Sequence, residues 1–72
     1  MKIVKVDSSV IEKIGYDGKD IFVKFLENGW YKYQNLSSEV FKKFCVAPSK
    51  GTFLNKTLKR LRQGIPCSNP EL

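Results

Sequence analysis

No histidine occurs in the 72-residue sequence. Imidazole is therefore excluded as a general base, as the partner of a nucleophile and as a metal ligand, which removes catalytic triads and most hydrolytic dyads. Cysteine is scarce: Cys45 falls inside a helical pattern and Cys67 in a proline-rich tail. Two isolated cysteines without CxxC spacing argue against a zinc site and against a disulfide framework. No cofactor is expected.

Long apolar runs are missing as well, since each ends after a few residues where a bilayer-spanning helix needs roughly 20. Met1-Lys2 leads directly into an alternating segment without the pattern of a signal peptide. The expectation is a cytosolic chain with no membrane partner.

Acids are the third shortage. Thirteen Lys and Arg face seven Asp and Glu, for a net charge of +6 and a pI near 9.5. No acid falls between Val40 and Pro70, whereas Lys42, Lys43, Lys50, Lys56, Lys59, Arg60 and Arg62 all do. A one-sided field of this kind attracts phosphates, and each contact releases counterions.

What is present is a modest apolar fraction, 42%, with 12% aromatic residues. A chain this short buries only about 60% of the surface its unfolded form exposes, so one domain with a core one layer deep is expected, without a large buried cleft. Ile3 to Val6 and Val10 to Tyr16 alternate in extended register before Asp17-Gly18 breaks the pattern. Asp20 to Leu26 is β-branched and aromatic, Asn28-Gly29 signals a hairpin, and Trp30 to Gln34 returns. A two-residue loop would set Ile21, Val23 and Phe25 opposite Tyr31 and Tyr33. A three-residue loop of Glu27-Asn28-Gly29, with Gly29 left-handed, puts all five on one face, which collects the core and is preferred. The other face then holds Phe22, Lys24, Leu26, Trp30 and Lys32.

After Leu36 the period lengthens to 3.6. Ser37 or Ser38 can cap a first helix with Val40, Phe41 and Phe44 as its stripe, ended by Pro48. Ser49 caps a second, with Phe53, Leu54, Thr57, Leu58 and Leu61 facing the sheet and Lys56, Lys59 and Arg60 outside, Arg62 nearer the flank. Gly64 reads as a C-cap, and residues 64–72 as a flexible tail with too little apolar content to order itself.

Residues from about 6 to 60 run in an order that resembles the KTSC domain family. The matching pieces are Ser8-Ser9, Ile14-Gly15-Tyr16-Asp17, Ile21/Val23/Phe25, Gly29, Tyr31-Lys32-Tyr33, Val40-Phe41, Ala47-Pro48-Ser49-Lys50-Gly51 and Phe53-Leu54-Asn55. That family is named for its occurrence at the C-terminus of some lysyl-tRNA synthetases and is common as a stand-alone bacterial or phage protein. Leu36-Ser37 departs from its usual Val-Pro, and Leu54 stands where an aromatic is more usual. The resemblance implies RNA binding, the role proposed for the family.

Each candidate group has a structural reading beside the functional one. Tyr31 and Tyr33 either stack bases or line the core with their hydroxyls at the sheet edge. Trp30, flanked by Lys24 and Lys32, suits base stacking but also packing under the N-terminal segment or an oligomer contact. Lys56, Lys59 and Arg60, joined by Lys50 and Arg62, form either a phosphate-contacting face or a solvated one. Ser49-Lys50-Gly51-Thr52 can cradle a phosphate or simply cap a helix. Cys45 lacks a base and reads as a small buried hydrophobe, and Asp7, Asp17 and Asp20 as turn acids.

The resulting expectation is a non-catalytic α+β domain over residues 1–63: a three-stranded antiparallel meander, with Ile3 to Val6 available as an extra strand, and two helices on one face. Its partner is RNA or another nucleic acid, bound with low specificity through Lys24, Trp30, Tyr31, Lys32, Tyr33, Lys50, Lys56, Lys59, Arg60 and Arg62. The alternative is a protein-interaction or homo-oligomerisation module using the apolar face around Phe22, Leu26 and Trp30.

Overall fold

A computed structural model describes residues 1–71. Five strands, β1 (Lys2–Lys5), β2 (Ile11–Tyr16), β3 (Ile21–Phe25), β4 (Trp30–Tyr33) and β5 (Ile65–Cys67), form one antiparallel sheet in sequence order. Helix α1 (Ser38–Val46) and a second helical segment cover one face. That segment is α2 (Lys50–Phe53), a π turn (Leu54–Leu58) and α3 (Lys59–Leu61), running end to end.

The turns arise from local chemistry. Asp17 accepts from the N–H groups of Asp20 (2.7 Å) and Lys19 (2.9 Å), and Gly18 takes φ 96°, where a β-carbon is strained. Ser37 caps α1 by accepting from the Val40 N–H, and Ser49 caps α2 by accepting from the Thr52 N–H. The β3–β4 register pairs Lys24 with Trp30 and Val23 with Tyr31. Ile21, Val23, Phe25, Tyr31 and Tyr33 therefore share the helix-covered face, as the three-residue reading requires. The details of the loop differ from the expectation. The Phe25 N–H donates to Gly29 O, so the turn spans Leu26 to Asn28, two residues of register away, and Gly29 keeps an ordinary φ.

The core joins Ile11, Ile14, Ile21, Val23 and Tyr33 of the sheet to Phe41, Phe44, Leu54 and Leu58 of the helices. Burying each aliphatic side chain contributes about 1.5–3 kcal/mol. Tyr16 stacks on Phe41 at 5.3 Å and donates to Leu36 O, while Phe44 stacks on Phe53 at 5.2 Å. Leu61, expected to face the sheet, is 46% exposed.

Two corrections concern the C-terminal third. The segment read as a tail outside the fold supplies β5, antiparallel to β4, so the sheet has five strands rather than three or four. Leu72 lies outside the described residues. Gly64 is not the helix cap, because the helix closes at Leu61 with Arg62 extended. The π turn was also not expected: the Lys59 N–H reaches back five residues to Leu54 O. Such a turn takes up one extra residue and re-phases the helical residues after it by about 100°.

Candidate nucleic-acid interface

A wide concavity opens between the end of the sheet and the end of the helix. It is a cleft of about 750 Å³, open to solvent, within the volume range of ligand sites. Phe25 and Tyr31 contribute aromatic surface from β3 and β4, the buried Tyr33 lies close against Gly64, and Lys59 and Arg60 line the same cleft. Phe25 and Tyr31 meet edge to face at 5.4 Å, which fixes both rings, and Tyr31 remains half-buried. Among the described residues neither Lys59 nor Arg60 pairs with a carboxylate. The π turn immediately precedes them and sets the direction in which they leave the helix.

Tyr33 reads as structural. It is 2% exposed, and burial pushes its phenol above the ordinary tyrosine value, with a smaller contribution from Tyr31. Arg62 lines the cleft, but its guanidinium donates to Gln34 O (2.8 Å), Asn35 O (3.0 Å) and Leu61 O (2.7 Å). It fastens the end of the helix to the loop after β4, where Asn35 takes a positive φ of 55°. The same loop is held from the other side by Asp20, which accepts from the Asn35 N–H.

The remaining expected residues fall elsewhere. Lys56 lies beside a shallow apolar groove with Pro48 and Phe53, and Lys50 donates to Ala47 O, away from the cleft. The hydroxyl of Ser49 is occupied by Thr52, which weakens the cradle reading of that segment. Lys24, Trp30 and Lys32 occupy the outer sheet face. The patch expected around Phe22, Leu26 and Trp30 is not exposed as a whole: Phe22 is 8% and Trp30 6% exposed, and of the three Leu26 alone, at 47%, is open. Lys24 donates to Phe25 O and Asn28 O and lies 3.7 Å from Glu12.

Phe25 and Asn28 were not singled out from the sequence, although both line the cleft. The alternating pattern of β3 already assigned Phe25 to the face of Tyr31, so that neighbour was readable. Among the described residues there is no cluster of metal-ligating side chains, and no helix is long and apolar enough to cross a membrane. Both cysteines are unpaired, and burial pushes the Cys67 thiol up against the opposing effect of Lys32.

The fold and cleft define a small α+β domain with a five-stranded antiparallel sheet, helices on one face and a basic, aromatic-floored opening. Its sequence matches the family model for the KTSC domain over residues 7–61, and the chain belongs to that family. Its structure is similar to the crystal structure of a KTSC domain protein from Yersinia pestis. The TM-score is 0.85 and the identity 29%, covering 93% of this chain and 97% of that one. No curated protein matches.

Proposed function

We propose that this KTSC domain is a non-catalytic binding module for nucleic acid, RNA foremost, and that it engages a single strand with low sequence specificity. The observation that carries this reading is the pairing, across one open cleft, of the half-buried Tyr31 ring with the carboxylate-free Lys59 and Arg60. A base reaches a ring on the floor of a cleft only when it is out of a duplex stack. Stacking on the ring is tolerant of base identity, and the two cations on the wall suit the phosphates on either side. Phosphate contacts hold the strand without reading sequence. The net charge of +6 supports the same class of partner.

The test is an amide-shift titration with an eight-nucleotide oligouridine. Shifts confined to Tyr31, Lys59, Arg60 and Gly64 are expected, and they should disappear in Lys59→Ala/Arg60→Ala. Shifts centred on the outer sheet face, or none, would contradict the assignment. Concentration-dependent dimerisation without RNA binding would favour the alternative of a protein-interaction or oligomerisation module.

A further inference from the structure

The sheet register aligns a second set of groups on the face opposite the helices. Lys5, Lys13, Lys24, Trp30 and Cys67 stand side by side, one from each strand. Neighbouring strands lie about 4.8 Å apart, so the three lysines and the indole span about 14 Å in a straight row. Lys32 sits in the next row, beside Phe22. Like charges on adjacent strands destabilise a sheet, so such a row calls for an anion.

The chain supplies two: Glu12, 3.7 Å from Lys24 Nζ, and, from the far end of the sheet, Glu71. Glu71 accepts from Lys13 Nζ at 2.9 Å, although the strand that leads to Glu71 is three places away in the sheet. The four residues after Cys67 reach about 14 Å at most, so the segment must run back across β4 and β3 to arrive at β2. Its path tracks the row itself. Trp30, paired with Cys67 where that path begins, is 6% exposed, while Asn69 and Pro70 are half-buried. The Glu71 N–H donates to Asn69 Oδ1, which bends the chain to deliver the carboxylate.

We propose that the Lys5-Lys13-Lys24-Trp30 row is a second binding surface for single-stranded nucleic acid, closed by residues 65–71 acting as a strap, with Glu71 in the place of a phosphate. This rests on the nucleic-acid reading above. Stacking of a base on an indole beside ammonium groups is how single strands are held without sequence preference. The strap is built to release. It has three strand residues, and Pro66 at their centre has no N–H to give to the ladder. The exposed ion pair to Lys13 adds little hold. Displacement by a longer strand already docked in the cleft would uncover the row.

Trp30 is the one tryptophan in the chain and reports on the strap directly. Two released forms are compared with the full chain: a chain ending at Cys67, which keeps β5, and a chain ending at Gly64. Acrylamide should quench Trp30 more strongly in both. An eight-nucleotide single strand should quench Trp30 emission only in the released forms, with affinity about tenfold higher than for the full chain, the effect of one stacked base. Lys13→Ala should remove that gain. If the chain ending at Gly64 fails to fold, the chain ending at Cys67 still decides the matter. Unchanged acrylamide quenching in the chain ending at Cys67 would show that the strap does not cover Trp30. An exposed Trp30 that no oligonucleotide quenches would show that the row is not such a surface. Binding by the full chain that Lys59→Ala/Arg60→Ala abolishes, without Trp30 quenching in the released forms, would overturn this inference and leave the cleft standing. Absence of binding by every form would overturn both.

Discussion

Tyr33 and Gly64 are fitted to one another: a β-carbon at Gly64 would stand 2.8 Å from the Tyr33 hydroxyl and 2.9 Å from the ring carbon that bears it. The ring is 2% exposed and hemmed in by the core, so it has no room to give way. Gly64→Ala should destabilise the fold by about 1–3 kcal/mol, the range for overpacking a filled site. Urea unfolding measures it, and a loss below about 0.5 kcal/mol would mean that the segment entering β5 shifts freely.

The core is thin enough that single truncations weigh heavily. Phe44 and Leu58 are fully buried, on opposite helical segments, and each packs against the sheet residues of the same cluster. Phe44→Ala or Leu58→Ala should cost about 2–5 kcal/mol. A value under about 1 kcal/mol in denaturant unfolding would mean that the helix concerned does not pack on the sheet.

Much of this framework is legible in the sequence. Alternation in residues 21–25 and 30–33 assigns every side chain to its observed face, because a two-residue error in register leaves the faces unchanged. Ser37 and Ser49 cap as their types require. Strand β5 is not legible, since Ile65-Pro66-Cys67 is too short for a period and carries a proline, which reads as a strand breaker. Only pairing with β4 makes it a strand. The π turn is hidden for a related reason: Leu54 and Leu58 keep ordinary helical spacing, so the extra residue leaves no trace in the apolar pattern. At the cleft, Tyr31, Lys59 and Arg60 are individually conspicuous, but their meeting depends on the re-phased helix. Arg62 looks like one more surface cation, and its three backbone acceptors come from tertiary structure.

Stability should decline at both ends of the pH scale for identifiable reasons. The N–H of Asp20 and then that of Lys19 hold the Asp17 carboxyl below its ordinary range. The folded chain thus binds that proton less readily than the unfolded one. The contribution of Asp17 is present above the ordinary carboxylate pKa, about 3.9, and is lost as pH falls through the lowered folded value. Tyr33 behaves in the opposite sense. Burial raises its folded value, so its contribution is present below the ordinary tyrosine pKa of about 10 and lost as pH rises through the raised one. Denaturation midpoints across pH should show a shallower acid limb for Asp17→Asn and a shallower alkaline limb for Tyr33→Phe. Limbs parallel to those of the parent chain would contradict these assignments.

Arg62 separates structure from binding. With its donors engaged on Gln34, Asn35 and Leu61, Arg62→Ala should lower stability by about 1 kcal/mol and leave the salt dependence of RNA binding nearly unchanged. A fall in the salt slope equal to that of Lys59→Ala would place Arg62 on a phosphate instead.

The central claim is that Lys59 and Arg60 hold phosphates at the cleft beside Tyr31, and fluorescence anisotropy of a labelled single-stranded RNA at several salt concentrations tests it most directly. The full chain should bind at about 50 mM salt and lose affinity linearly in log-log form, with Lys59→Ala/Arg60→Ala reducing the slope by roughly 0.7 for each lost contact. Tyr31→Ala should weaken binding without changing that slope, because stacking releases few counterions. Absence of binding at about 50 mM salt, or a slope indifferent to Lys59 and Arg60, would contradict the account.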